Sequence, residues 1–317
     1  MNHPLSFSAD SKLTDVLKQG RFTLSAEVIP PRNGFQQSAI LDQIRILIDA
    51  GAQFLAVTKG AGGSLRGGSL PIAQSIKERF KVPCIAHFTC RDLTPPEIEN
   101  QLMDHHYFGI RNILALRGDP PNGQPEWKAR DGGYSFAHQL IEQIRNLNQG
   151  VYLPRPGGPP APDQEQTDFC VGAAVYPEHP NEEERIRFFK IKVEAGAEFA
   201  ITDMIFDPEK YGRLLDLCEK NGLSIPILPG TRLLKTKKQA QRMVTQFRVT
   251  IPPAILNSLP ETDGPDALQQ GLELFQRWTE RMRQLGAPGA HLYVIGDILG
   301  ATQALKRLAV TEKKVKS

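Results

Sequence analysis

The sequence predicts a single (β/α)8 barrel, and three observations predict it. Short apolar runs rich in β-formers alternate with amphipathic helical stretches, the signature of parallel strands joined by helical crossovers. There are eight such runs. The length, 317 residues, suits one barrel of roughly 250 residues plus insertions and leaves no second domain. An open doubly wound sheet gives a similar alternation; the count of eight favours closure.

Taken in order, residues 23–28 read as the first strand and 36–50 as its helix; 54–58 is the second, with a helix over 70–80. The third strand, 83–89, precedes a helix over 95–107, and the fourth, 112–116, precedes one over 134–147. Residues 169–175, 199–202 and 225–228 follow as strands, each with its helix (182–195, 208–221, 236–246). A long helix over 265–285 leads to the eighth strand, 291–295, and a last helix covers 298–308. Gly51, Gly109, Gly196 and Gly222 each stand just past a helix and a few residues before a strand, where glycine supplies a left-handed C-cap. The Pro/Gly-rich stretch 150–166 can be neither helix nor central strand and reads as a surface insertion outside the barrel.

Composition excludes several classes. A formal net charge of +3 is too weak to argue for nucleic acid, and the basic end at Lys313, Lys314 and Lys316 reads as a solvated tail. The four cysteines, Cys84, Cys90, Cys170 and Cys218, form no C-x-x-C pair, so neither a disulfide framework nor a zinc site is expected. Residues 1–12 lack a signal-peptide core, and no run approaches the about 18 apolar residues of a membrane span. A reducing cytoplasm is the expected compartment.

In a barrel the site is built at the carboxyl ends of the strands. There the sequence places Glu27, Thr58-Lys59, His87 and Thr89, Arg117-Gly118-Asp119, Tyr176-Pro177-Glu178-His179, Thr202-Asp203, Pro229-Gly230 and Gly296-Asp297. Glu27 is a carboxylate in an apolar strand end, where desolvation suits it to donate a proton near neutral pH; the alternative is an ion pair with Arg32 or Lys59. Arg117, Gly118 and Asp119 put a cation, a permissive backbone step and an anion together; the alternative is an internal ion pair. His87 and His179 lie on different strands with no acid or Cys at ligand spacing, which favours hydrogen bonding over metal. The glycine-rich loop 59–68 lacks the Walker ending and reads as an active-site loop.

Together these residues resemble the flavin-dependent 5,10-methylenetetrahydrofolate reductases. The resemblance runs from about Thr23 to Leu308 and rests on SAEVIPPR (25–32), AHFTCRD (86–92), GIRNILALRGDPP (109–121), AAVYPEHP (173–180), KVEAGAEFAITDMIFD (192–207) and PILPG (226–230). It implies a (β/α)8 barrel that reduces 5,10-methylenetetrahydrofolate to 5-methyltetrahydrofolate. It implies FAD, with FMN as the alternative, and NAD(P)H as co-substrate. Glu27 would be the general acid at N10. Asp119 would bind the pterin and lie near the flavin, and Asp203 would complete the folate site. Flavin contacts would come from Thr58, His87, Arg117, Gly118, Asp119, Ala137, Tyr176, His179 and Lys192, with Arg117, His179 and Lys192 toward a pyrophosphate. A homo-oligomer is expected. The family's usual glutamine is Asp203 here, expected to accept from the pterin amine but not to donate. The aromatic residue usual after the seventh strand is replaced near Lys237. These departures leave open a flavoprotein served by a partner subunit, another donor or another one-carbon carrier, and a barrel that binds folate without catalysis.

Overall fold

A computed structural model of the chain describes residues 7–31, 34–63, 67–120, 128–154 and 165–315. Eight parallel strands close in chain order: β1 (Thr23–Val28), β2 (Phe54–Val57), β3 (Cys84–Thr89), β4 (Asn112–Leu116), β5 (Cys170–Val175), β6 (Phe199–Met204), β7 (Ile227–Thr231) and β8 (Gly289–Tyr293), with β1 pairing both β2 and β8. The single barrel is therefore as the alternation predicts. Around it stand α2 (Gln37–Asp49), α3 (Ser69–Ser75), α4 (Pro95–Tyr107), α5 (Ala137–Asn148), α6 (Glu182–Ala195), α7 (Pro208–Lys220), α8 (Lys237–Phe247), α10 (Pro265–Gln284) and α11 (Ile298–Val315). The four C-cap glycines all have positive φ, between 69° and 125°.

Strand side chains alternate between two cores. Leu24, Ala26, Leu55, Val57, Ala86, Phe88, Ile113, Ala115, Val171, Ala173, Ala290 and Leu292 face the helices. Phe54, Ala56, Ile85, Leu114, Cys170, Phe199, Ile201 and Leu228 fill the barrel interior. Each fully buried large apolar side chain contributes about 1.5–3 kcal/mol. Gly172 lies on an inward position because Phe199 occupies its space: a Cβ there would collide with that ring.

Two elements escape the sequence reading. The short helix α1 (Leu13–Leu17) precedes β1 and drives Leu13, Val16 and Leu17 into the bottom of the interior. Helix α9 (Pro253–Ser258) caps a satellite cluster around Met243, Val249 and Leu259. Two strands shift. β7 begins at Ile227, two residues past its expected start, and runs to Thr231, three past its expected end, because Gly230 and Thr231 pair with β8. β8 starts at Gly289, where the backbone lies so close to the Thr23 carbonyl that no Cβ would fit, a constraint that counting apolar residues does not see. Helix α3 ends in a π-helical turn over Ile76–Phe80. Arg32, Ser64, Leu65, Arg66, Pro121, Lys316 and positions 155–164 of the insertion lie outside the described residues. The flanks of the insertion pack on α4: the Leu153 N–H donates to Glu99 Oε2 at 2.8 Å, and the Tyr152 hydroxyl to the Glu165 carbonyl at 2.7 Å.

Candidate active site

The alternation that sends Leu24, Ala26 and Val28 outward turns Ser25 and Glu27 inward, and the same parity turns in His87, Asn112, His291 and Tyr293. Toward the carboxyl ends the interior therefore stops being apolar. Glu27 Oε2 lies 3.4 Å from His87 Nε2 and 3.8 Å from His291 Nε2. Neither ring nitrogen completes a hydrogen bond among the described residues, although both are buried. The Ser25 hydroxyl donates to the Ala290 carbonyl at 3.2 Å and also meets His291 Nδ1 at 2.9 Å. The Ser25 hydroxyl thus orients the His291 ring so that Nε2 faces Glu27. Burial pushes the His87 pKa down, against the pull of Glu27, and His291 pushes it further the same way. Glu27 thus faces two histidine rings. The Lys59 pairing expected as an alternative does not form. The Lys59 ammonium donates to Gln101 at 2.8 Å and sits 3.8 Å over the Phe88 ring.

Beside this acid, Gly118 adopts φ 99°, and a Cβ there would stand 2.8 Å from Arg91 Cβ. The Arg91 guanidinium donates to the Asp119 carbonyl at 2.7 Å, pinning the loop after β4. Asp119 Oδ2 accepts from the Gly62 N–H at 3.1 Å, so the glycine-rich loop after β2 meets the acid after β4. Thr58, directly after β2, is buried with its hydroxyl unpartnered among the described residues.

Around the same rim, the Lys192 ammonium on α6 donates to the Ala174 carbonyl at 2.7 Å and lies 5.3 Å from the Tyr176 ring centroid. Burial, then the nearby Arg117 charge, lower its pKa to about 8. Desolvation, then Asp203 and Asp119, raise that of the Tyr176 phenol. Tyr176 thus links Lys192, Arg117, Asp119 and Asp203 into one neighbourhood. Ala137 opens α5 beside Phe136, whose exposed ring stacks on His138. His179 turns the other way: Nδ1 lies 3.0 Å from the Asn181 carbonyl at the start of α6, and Nε2 is 3.9 Å from Glu184.

Asp203 faces inward on β6, on the same face as Phe199 and Ile201. Its Oδ1 is buried without a hydrogen bond among the described residues. Burial, then the charge of Glu178, push its pKa up to about 7. Lys237, near which the family's aromatic residue is replaced, stands at the edge of this rim. This residue opens α8 and pairs with Glu261 at 3.2 Å, while Leu233 and Leu234 after β7 are buried. The residue reaching over the rim is Arg232, whose Nη2 donates to the Ile295 carbonyl at 2.8 Å; Ile295 has φ 32°, a strained value for a β-branched residue. His291, Tyr293 and Arg232 were missed from sequence. Period two along β8 would have signalled the first two; nothing local signals Arg232.

A closed eight-stranded barrel whose inward polar groups gather at the strand carboxyl ends is an enzyme-type (β/α)8 scaffold. A model of the methylenetetrahydrofolate reductase family matches residues 12–308, and the chain belongs to that family. Methylenetetrahydrofolate reductase (NADH) 1 of Zea mays is 29% identical over 307 residues, 95% of this chain and 51% of the maize protein. The chain thus spans about half the length of the curated plant relatives it matches. The 5,10-methylenetetrahydrofolate reductase of Escherichia coli K12 is 32% identical over 240 residues, 74% of this chain and 72% of that protein. A Clostridium thermocellum protein described as binding two copies of 5-methyl-5,6,7,8-tetrahydrofolic acid shares the fold, with a TM-score of 0.57 at 17% identity over 93% of this chain and 97% of that one.

Proposed function

We propose that this protein reduces 5,10-methylenetetrahydrofolate to 5-methyltetrahydrofolate with FAD as cofactor and NAD(P)H as donor. The observation that carries the reading is Glu27, an inward acid held between two imidazoles at the mouth of a barrel of this family. Glu27 protonates N10 as the five-membered ring opens to the N5 iminium. Asp119 orients the pterin, and its charge disfavours extra electron density on a neighbouring flavin. The described residues fit that group. The Thr58 hydroxyl and His87 Nε2 are buried polar atoms awaiting partners, and Arg117 and Lys192 are adjoining cations that a pyrophosphate would neutralise. When bound, reduced flavin supplies the hydride that turns the iminium carbon into the methyl group.

A second reading keeps the flavin and changes the donor, because the aromatic ring usual after the seventh strand is replaced near Lys237, which pairs with Glu261. One experiment tests both. The purified protein should be yellow and bleached anaerobically by NADH or NADPH. Methylenetetrahydrofolate should then restore the colour. A protein that takes up no flavin sinks both readings. Bleaching by dithionite but by neither nucleotide selects the second.

A further inference from the structure

The register of β1 on β8 sets a histidine beneath the acid, and the proposed chemistry leaves that ring without a role. Ser25 pairs with His291 and Glu27 with Tyr293, and all four side chains point inward. His291 therefore stands one inward level below Glu27. Its ring is completely buried and held on two sides. Nδ1 meets the Ser25 hydroxyl at 2.9 Å, and Tyr293 packs edge-on with 5.2 Å between ring centroids. Tyr293 is itself anchored, its hydroxyl donating to the Thr202 carbonyl at 2.7 Å. That leaves Nε2, buried and without a hydrogen bond among the described residues, 3.8 Å from Glu27 Oε2. His87 approaches the same oxygen from β3, but the proposed function commits its Nε2 to the flavin.

Resting on the function proposed above, we infer that His291 is a positioning residue for Glu27: held by Ser25, its Nε2 fixes Oε2 so that Oε1 delivers the proton to N10. A gap of 3.8 Å is longer than a hydrogen bond, and such contacts commonly tighten when the substrate complex forms.

In the step served, the Glu27 proton passes to N10. The bond from the methylene carbon to N10 breaks and leaves its electron pair on N10. The N5 lone pair closes the iminium, and Glu27 is left as a carboxylate. A carboxyl free to rotate meets N10 only part of the time, and a misplacement of about 1 Å costs roughly 100-fold in rate. A ring locked by its own neighbours removes that loss.

The test uses the flavin-loaded protein, titrated to full reduction with dithionite and then mixed with methylenetetrahydrofolate in a stopped-flow spectrometer. His291→Asn keeps a polar atom for Ser25 and none at the Nε2 position, and reoxidation should slow about 10- to 100-fold. His291→Gln carries its amide to the Nε2 position and should recover most of the rate. Affinity for 5-methyltetrahydrofolate should stay near wild type in both, which a general loosening of the site would not allow. Ser25→Ala releases the ring and should slow reoxidation less, with no further loss when added to His291→Asn. Equal losses in His291→Asn and His291→Gln, wild-type speed in a folded His291→Asn protein, or weakened 5-methyltetrahydrofolate binding overturns the inference while the proposed function stands. If the His291 variants fail to fold, Ser25→Ala decides, and wild-type speed there overturns the inference too. No reoxidation of the reduced wild type by methylenetetrahydrofolate sinks the proposed function itself, and this inference with it.

Discussion

At the bottom of the barrel, Asn112 Oδ1 accepts from the Leu13 N–H at 2.7 Å, and its Nδ2 donates to the Ser11 carbonyl at 2.9 Å and to Asp10 Oδ2 at 3.1 Å. Asp10 Oδ2 also takes the Cys84 N–H at 3.0 Å. At the mouth, the Thr58 hydroxyl, His87 Nε2, His291 Nε2, Asp203 Oδ1 and Glu178 Oε1 are equally buried and have no such partners among the described residues. A buried polar group left alone costs on the order of 1–3 kcal/mol, so a fold keeps several in one place only where something else repays them. The bottom is satisfied by the chain itself and serves stability. The mouth is satisfied by what binds there. The contrast also explains why β7–β8 is the strained sector: Ile295 at φ 32° is held by Arg232 on the side that must remain shaped for a ligand.

The contrast breaks if mouth substitutions unfold the protein or bottom ones abolish chemistry alone. The largest effect is expected at Glu27. Glu27→Gln should slow reoxidation of the reduced flavin by methylenetetrahydrofolate about 10²–10⁴-fold, leaving bleaching by NAD(P)H and the melting temperature nearly unchanged; stopped-flow absorbance separates the two half-reactions. Asn112→Leu should do the opposite. It strands the Leu13 N–H in the interior, removes a donor from Asp10 Oδ2 and should cost about 3 kcal/mol in a urea titration, while protein that stays folded binds flavin normally. Asp119→Asn comes next: the folate half-reaction should slow about 10- to 100-fold and the flavin potential should rise, read by dye equilibration. An unchanged potential would take Asp119 away from the flavin.

The bottom and the mouth were unequally legible in the sequence. Strand order and helix order follow from apolar period, and α4, β1, β4 and α6 have the bounds that reading expects. Glu27, Asp119 and Asp203 stand out because each is an acid in an otherwise apolar strand end. Lys59 misled because sequence separation cannot tell that its stem turns onto Phe88 and away from Glu27. The α1 plug was invisible: five residues carry too little period, and Lys12 at its N-cap makes no side-chain cap bond to mark its start. His291 was hidden for a different reason. Its significance lies in Ser25 and Glu27, 266 and 264 residues away in chain but adjacent in the barrel once β8 closes on β1.

Asp10 gives the smallest and sharpest test of the contrast, because it is an acid like Asp203 but lies in the satisfied end. Burial is the largest influence and pushes its pKa up to about 7, against the bonds from Cys84, Asn112 and Ser11 and the charge of Lys77. An acid whose folded pKa lies above its unfolded one binds more protons folded than unfolded between the two values. Stability therefore falls as pH rises from about 4 through about 7. Asp203 contributes a parallel slope, so the informative quantity is the difference between wild type and Asp10→Asn. The amide keeps an acceptor for Cys84 and removes the desolvated charge. It should add on the order of 1 kcal/mol at pH 8, and the gain should vanish near pH 4, as read from urea midpoints across that range. A gain independent of pH would mean that the charge is not what the substitution relieves. Flavin binding should be unaffected at either pH, since Asp10 and its partners lie at the end of the barrel opposite the mouth.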